Sequence, residues 1–486
     1  MDRKLSQPEI LGIIFNFVLT PVTSFSSDSD RPWMTGMVGK SNLASLARTC
    51  KTFRDPALDL LWCRQTSLQP ALRLFPEDLW VSGEWGRQGF KERRREIVAS
   101  DWRPVVYFAR VRSLVLDDYT MPLSANNLWE TLKHLLLRCP TAQLFPNLQD
   151  IRWLEQSHPT ILPVLEIFSA PRLTSMGFTP GESVEDLTAL RNLGTATSDL
   201  TDVVIRHTHM AGFEFHFQTD PAEPSVPAFP ALEEISGFIS PEILIQILSA
   251  MGQSRLTSIE ADFYTSEGAR LPTISTTTAL YTAIAEHCSP SNLTTLCIPD
   301  NWVDGGAEEL VPDEFAFGEY AIGPAALELL KPFTNLTSLT LDTFHGFDID
   351  DDTVLRLARS WSKLEKLSLA CIGPGRSPGY WPDVSTLSLE YLAVFCRELR
   401  ELTLLFDATE IQRLSDVIDF DGSFSQGALK RLNVNFSPIL DAGVVTSFLQ
   451  ERFPSLRSVS SGFWLEEDAE ERAIWSEVSE LFPDRY

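Results

Sequence analysis

One short apolar pattern returns along most of this chain: Leu-x-x-Leu-x-Leu, with other aliphatic residues allowed. It is clean in Leu293/Leu296/Ile298, Leu336/Leu339/Leu341, Leu364/Leu367/Leu369, Leu399/Leu402/Leu404 and Leu429/Leu432/Val434. Weaker copies begin at Val111, Leu148, Leu173, Leu200, Leu232, Leu256 and Leu456. In the x-Leu-x-Leu half, alternate residues point to one face of a short strand, and the leucine three positions earlier tucks the entering turn into the same core. Helical apolar spacing fills the gaps, as in Asp351 to Trp361 and Leu387 to Leu399, each beginning near a residue able to cap a helix. Copies stand from 24 residues apart (Leu232 to Leu256) to 43 (Leu293 to Leu336), so strand, turn and helix recur as an irregular repeat.

These copies resemble the leucine-rich repeat family. The resemblance implies an α/β solenoid over 105–486, about twelve units, a horseshoe with parallel strands on its concave face and helices outside. The asparagine or cysteine that usually follows the strand is mostly absent, so an asparagine ladder is not expected. Residues flanking the inward leucines would face the concavity: Ser258, Glu260 and Asp262; Ser338, Thr340 and Asp342; Lys366 and Ser368; Glu401 and Thr403; Arg431, Asn433 and Asn435. Polar, varied and drawn from separate repeats, they are the candidate surface for a protein substrate whose identity the sequence does not name.

The first eighty residues read differently. Gln7 to Thr20 places Ile10, Leu11, Ile14, Phe15 and Val18 on one helical stripe with Pro8 in the first turn. A flexible insertion rich in Ser, Asp, Pro and Gly is expected over 21–40. Two further helices follow, one turning Leu43, Leu46 and Ala47 inward, the other carrying Phe53, Leu58, Leu61 and Trp62. Three helices this short bury little surface alone and normally need a partner. The order Leu5, Pro8, Glu9, Ile10, Leu11, Ile14, Phe15, Leu43, Leu46, Cys50, Lys51, Phe53, Leu58, Leu61, Trp62 resembles the F-box motif. That resemblance implies docking on the Skp-type adaptor of an SCF ubiquitin ligase, and through it on cullin and RING subunits, with the apolar positions divided between an internal core and the adaptor interface. An F-box-like segment followed by leucine-rich repeats is an architecture of substrate receptors, which do no chemistry themselves. The other reading makes 1–80 a helical cap on a leucine-rich scaffold, and a third, leaving 7–62 unexplained, makes the chain a regulator of small GTPases.

Charge and composition narrow the classes. Formal charge is -26 at pH 7, but residues 1–112 are net positive and -31 falls on the rest. Nonspecific binding to nucleic acid or to an anionic membrane is therefore not expected. Seven scattered cysteines without paired metal-ligand spacing suit a reducing compartment, cytoplasmic or nuclear. The apolar run Ile10 to Leu19 is too short to span a membrane. In the 81–104 linker, Lys91, Arg93, Arg94 and Arg95 with interspersed glutamates are expected on a solvated helix face.

Candidate chemistry is weak, and neither cofactor nor metal is expected. His207, His209 and His216 lack companion ligands at zinc spacing. His287 and Cys288 are adjacent, which keeps a base from reaching the thiol and suggests a helix end. The 373–379 loop has no phosphate-loop Lys-Ser/Thr, and Asp348 to Asp352 fits helix capping better than calcium ligation.

Overall fold

Each repeat copy buries its leading apolar side chain: from Val111 to Leu456 none of these is more than 8% exposed. The computed structural model describes residues 7–19, 40–82, 90–93, 95, 98–102, 104–116, 144–153, 172–178, 200, 202–206, 229–265, 273–302, 321–343, 346–371, 382–414, 425–462 and 469–482. The chain divides into two compact units, Met1–Val204 and Ile205–Tyr486.

The first unit opens with helices α1 (Pro8–Leu19), α2 (40–46) and α3 (Lys51–Cys63). Strand β1 (Arg64–Gln65) follows α3 without a break, then come the short α4 (Gln69–Leu72), a hairpin of β2 (Trp80–Ser82) and β3 (Phe90–Arg93), and α5 (Val105–Phe108). Strands β4 (Ser113–Leu116), β5 (Asp150–Trp153) and β6 (Ser175–Phe178) continue a parallel ladder that β1 begins, Arg64 beside Ser113 and Gln65 beside Leu114. Strand β7 (Asp202–Arg206) lies where the units divide. Two expectations are corrected here. The ladder starts at Arg64 rather than near Val105, and the basic cluster holds a strand, not a helix face. Arg95 reaches Asp78 at 2.7 Å and Asp101 at 2.6 Å, tying the segment after β3 to the two short 3-10 helices Glu77–Leu79 and Ala99–Trp102.

The second unit carries β8 (Glu234–Phe238), β9 (Ser258–Thr265), β10 (Thr295–Cys297), β11 (Asp300–Trp302), β12 (Ser338–Thr340), β13 (Lys366–Leu369), β14 (Glu401–Leu404), β15 (Arg431–Asn433) and β16 (Ser458–Ser460). All pair in parallel with their neighbours in chain order, except that β11 extends the ladder beside the far end of β9 and β10 pairs β12 directly. Helices α6 (Pro241–Met251), α7 (Ile274–His287), α8 (Pro324–Glu328), α9 (Asp351–Ser360), α10 (Thr386–Phe395) and α11 (Ala442–Arg452) fall between strands, and α12 (Ala469–Glu480) comes last. Ser240, Thr273, Asp350, Ser385 and Asp441 cap five of them, each side chain accepting a first-turn backbone N–H. This is the leucine-rich-repeat architecture, one parallel strand per repeat.

In nine described repeats one backbone carbonyl accepts two N–H groups from the next. Arg112 O takes Gln149 N (2.7 Å) and Asp150 N (3.0 Å), and Gln149 O takes Thr174 N and Ser175 N. In the second unit the accepting carbonyls are Glu233, Thr257, Thr294, Thr337, Glu365, Arg400 and Lys430, the last receiving Arg457 N and Ser458 N. Thr174, Thr257, Thr294 and Thr337 add their hydroxyls as a third donor to the same oxygens, at 3.0 to 3.1 Å. Arg112 N itself donates to Cys63 O, the last residue of α3.

Buried polar groups tie neighbouring repeats together. The side chain of Gln426, a residue 4% exposed, makes four bonds, donating to Arg397 O and Leu399 O and accepting from Ala428 N and Leu429 N. Glu390 and Arg452, 0% and 7% exposed, pair at 2.7 Å across 62 residues of sequence, and Leu414 N donates to the other carboxylate oxygen. Arg452→Ala leaves that carboxylate uncompensated and is expected to cost about 3–5 kcal/mol in urea unfolding. The Arg95 guanidinium holds the Asp78 and Asp101 carboxyls below the usual carboxylate range. Their stabilising contribution is complete above the unfolded-state pKa and disappears as pH falls through the lower folded value. Wild type is therefore expected to melt higher than Asp101→Asn at pH 7, with the gap closing on acidification below about pH 4.

Candidate functional site

Two surfaces bring together the residues singled out in the sequence. On α1 to α3, Leu11, Phe15, Leu43 and Ala57 form a core sealed by half-buried Leu46, Ala47, Phe53, Leu60 and Leu61. Phe15 and Phe53 meet edge to face, centroids 5.3 Å apart. Ile10 and Leu58 are half-buried, and Cys50 and Ile14 are exposed. Leu5 lies outside the described residues, as does the 21–39 stretch of the expected insertion. Trp62 leaves this core: it is 8% exposed, and its ring lies 5.3 Å from Tyr107 of α5. It anchors α3 to the first repeat, a role the sequence did not assign to it.

The α1 surface carries a residue that the sequence reading passed over. Ile13 is 63% exposed and Ile14 43%, side by side on the helix whose other face is the core. Four apolar residues within five positions, Leu11, Ile13, Ile14 and Phe15, cannot all face inward on a 3.6-residue helix, and that excess was the available signal.

The second surface is the row of outward positions along the second unit's ladder. One register line runs Ser258, Thr295, Ser338, Lys366, Glu401, Arg431, Ser458, and the next runs Glu260, Cys297, Thr340, Ser368, Thr403, Asn433, Ser460. Asp262, Asp342 and Asn435 stand two positions further along their own chains. Three of the expected partner-facing residues are buried instead: Thr340 and Ser368 at 5% and Asn435 at 4%. Ser368 donates its hydroxyl to Asp342, Ala370 N donates to the same carboxylate oxygen at 3.3 Å, and Asn435, at positive φ (53°), donates to Cys371 O at 2.9 Å. Arg431 pairs with Glu401 across the ladder. Glu234 and Cys297 join the surface although neither was singled out, and the place of Glu234 after Leu232 matches that of Ser258 after Leu256.

Other candidates resolve locally. Helix α7 ends at His287, and burial pushes the Cys288 thiol up to about 12. Asp350 caps α9 by accepting Thr353 N at 2.8 Å. Elsewhere Asn335 bridges repeats, donating to Ser291 O and accepting from Lys363. His207, His209, His216 and 373–379 lie outside the described residues. Among the described residues no helix is long and apolar enough to cross a membrane, and no group of three or more His, Cys, Asp or Glu is placed to hold a metal ion.

No family model matches the chain, and no curated protein matches it. Among solved structures it is similar to the complex of Rad7 and Elc1 in yeast, at 14% identity and TM-score 0.34, over 93% of this chain and 87% of that one. It is similar to TLR13 in its complex with ssRNA13 (14%, TM-score 0.30, 73% of this chain and 43% of that one). LegL7 from Legionella pneumophila, a leucine-rich repeat-containing protein, matches 66% of this chain over 96% of its own, at 14% identity and TM-score 0.29. The repeat architecture stands on the rungs themselves.

The division of α1 predicts opposite outcomes for adjacent residues. Phe15→Ala is expected to cost about 3–5 kcal/mol, whereas Ile14→Asp stays within about 0.5 kcal/mol of wild type; chemical denaturation of the full chain measures both.

Proposed function

We propose that this chain is the substrate-recognition subunit of an SCF-type E3 ubiquitin ligase. Helices α1 to α3 dock a Skp-type adaptor, which carries the cullin and RING subunits, and the repeats bind the protein to be modified. The observation that carries this reading is the pair Ile13 and Ile14, exposed on a helix whose opposite face is already a formed core. Covering an isoleucine fully is worth roughly 1.5–3 kcal/mol, so a partner closing over two of them gains a useful share of its affinity there. The receptor performs no chemistry. Holding a substrate lysine beside a ubiquitin-charged enzyme raises its effective concentration, and that proximity is the contribution.

The cap reading also has an observation behind it, since Cys63 O opens the ladder and Trp62 packs on Tyr107. The two are compatible: α3 closes the array while α1 offers its outer face. A pull-down of the full chain with a Skp-type adaptor separates docking from capping alone. Wild type is expected to bind, and Ile13→Asp/Ile14→Asp to lose at least tenfold in affinity with an unchanged unfolding midpoint. A folded wild-type chain that shows no binding at micromolar adaptor, or a double variant that binds equally well, overturns the adaptor reading and leaves the helices as a cap.

A further inference from the structure

In the second unit Glu328, Glu365, Glu390 and Glu401 each pair with an arginine, and Glu451 pairs with two. The acidic side chains on the outward positions from β8 to just past β12 have no such partner. Glu234, Glu260, Asp262 and Asp342 make no ion pair among the described residues, and Lys366 is the single cation on the outward positions of β8, β9, β10, β12 and β13. Glu234 and Glu260 are exposed, while Asp262 and Asp342 are half-buried. Glu260 accepts only a long 3.4 Å bond from Ser258. Two residues before Asp342, on β12, stands a hydroxyl of the same face: Thr340 Oγ1 is buried without a hydrogen-bond partner of ordinary geometry, with Cys297 of β10 as its polar neighbour in register.

We propose that this face of the second unit binds an extended protein segment bearing two or more lysine or arginine side chains, one set between Glu260 and Asp262 and another at Asp342. The proposal deepens the receptor reading by giving the chemical class of its substrate. Three features support it together. The carboxylates stand at alternate positions on one face, Glu234 beside Ser258, Glu260 beside Cys297, and Asp262 and Asp342 two positions beyond Glu260 and Thr340, so their charges sum over a short span. Asp262 pays a desolvation penalty that no resident cation offsets, and its carboxyl is displaced upward by burial first and by Glu260 second; burial displaces the Asp342 carboxyl upward as well, although Ser368, Ala370 N and the Lys366 charge offset part of it. Hydroxyl and thiol side chains occupy the interval between them, leaving a face that accepts hydrogen bonds from a cationic partner without presenting one of its own beyond Lys366. Strands β9 and β12 are separated by β10 alone, about 10 Å at ordinary strand spacing, which an extended segment covers in about three residues.

The test uses the full chain without adaptor, so its outcome is independent of whether α1 docks one. Fluorescein-labelled Gly/Ser peptides carrying four lysines at every third position are titrated by anisotropy at low salt, beside the same peptides with glutamate in place of lysine. Wild type is expected to bind the lysine peptide and not the glutamate one. Glu260→Gln/Asp262→Asn is expected to weaken binding at least tenfold, and Asp342→Asn alone to weaken it at least threefold. Because the whole chain is acidic, Glu398→Gln/Glu477→Gln serves as the control; it removes the same charge from exposed sites off this face. An equal loss in the control, an unaffected face variant, or no preference for lysine over glutamate overturns the proposal. Glu260→Lys, at an exposed position, repeats the measurement should the Asp substitutions alter the melting temperature.

Discussion

The structure depends on a shared carbonyl. In nine described repeats one backbone oxygen, at the position after the leading apolar residue, receives two N–H groups from the repeat that follows, and in four places a threonine hydroxyl as well. The bond fixes register at the strand's first residue, so the strand's alternation then sends leucine inward and polar residues outward without further instruction. Irregular spacing between copies is tolerated because everything between two rungs lies outside this constraint. The 43 residues from Leu293 to Leu336 and the 24 from Leu232 to Leu256 end on the same geometry.

That constraint explains which parts of the fold could be read from the sequence. Leading leucines are conspicuous because a fully buried position at a fixed place in each turn admits little else. The first rung is invisible for the opposite reason. Arg64 and Gln65 form it with no leucine at all, Gln65 lying buried with its amide bonded to Leu61 O, and α3 supplies the apolar packing a leucine would give elsewhere. The basic segment misled in another way. Glutamates interspersed with arginines at helical spacing satisfy a helix as readily as a hairpin, and pairing of β3 with Trp80–Ser82 settled it through a contact distant in sequence. That a threonine hydroxyl and a carbonyl shared by two N–H groups would make the rungs was not legible, since threonine at that position is equally at home on an exposed strand.

The candidate surfaces were legible in composition and less so in exposure. Alternation identified the outward positions, but it gives no measure of how far neighbours crowd them. Ser368 and Thr340 are flanked on both sides within the ladder, and Asn435 turns back to bond Cys371, so three residues expected at the surface contribute to its floor. On α1 the motif resemblance named positions without saying which face each would take. Packing of Leu11 and Phe15 against Leu43 and Ala57 made that choice, and it turned Ile13 and Ile14 outward.

The last helix bears on a hazard common to every stack of parallel strands. A terminal strand presents unpaired backbone groups, and an identical chain can continue the stack. Helix α12 sets itself over that edge: Ser479 donates its hydroxyl to Val459 O of β16 at 2.7 Å, and Trp475, 1% exposed, donates to Ser437 O while its ring meets Phe406. At the opposite described end the ladder begins on a strand of two residues, too short to template a neighbour. Both described ends of a ladder built from a self-complementary unit are thus closed to a strand from an identical chain.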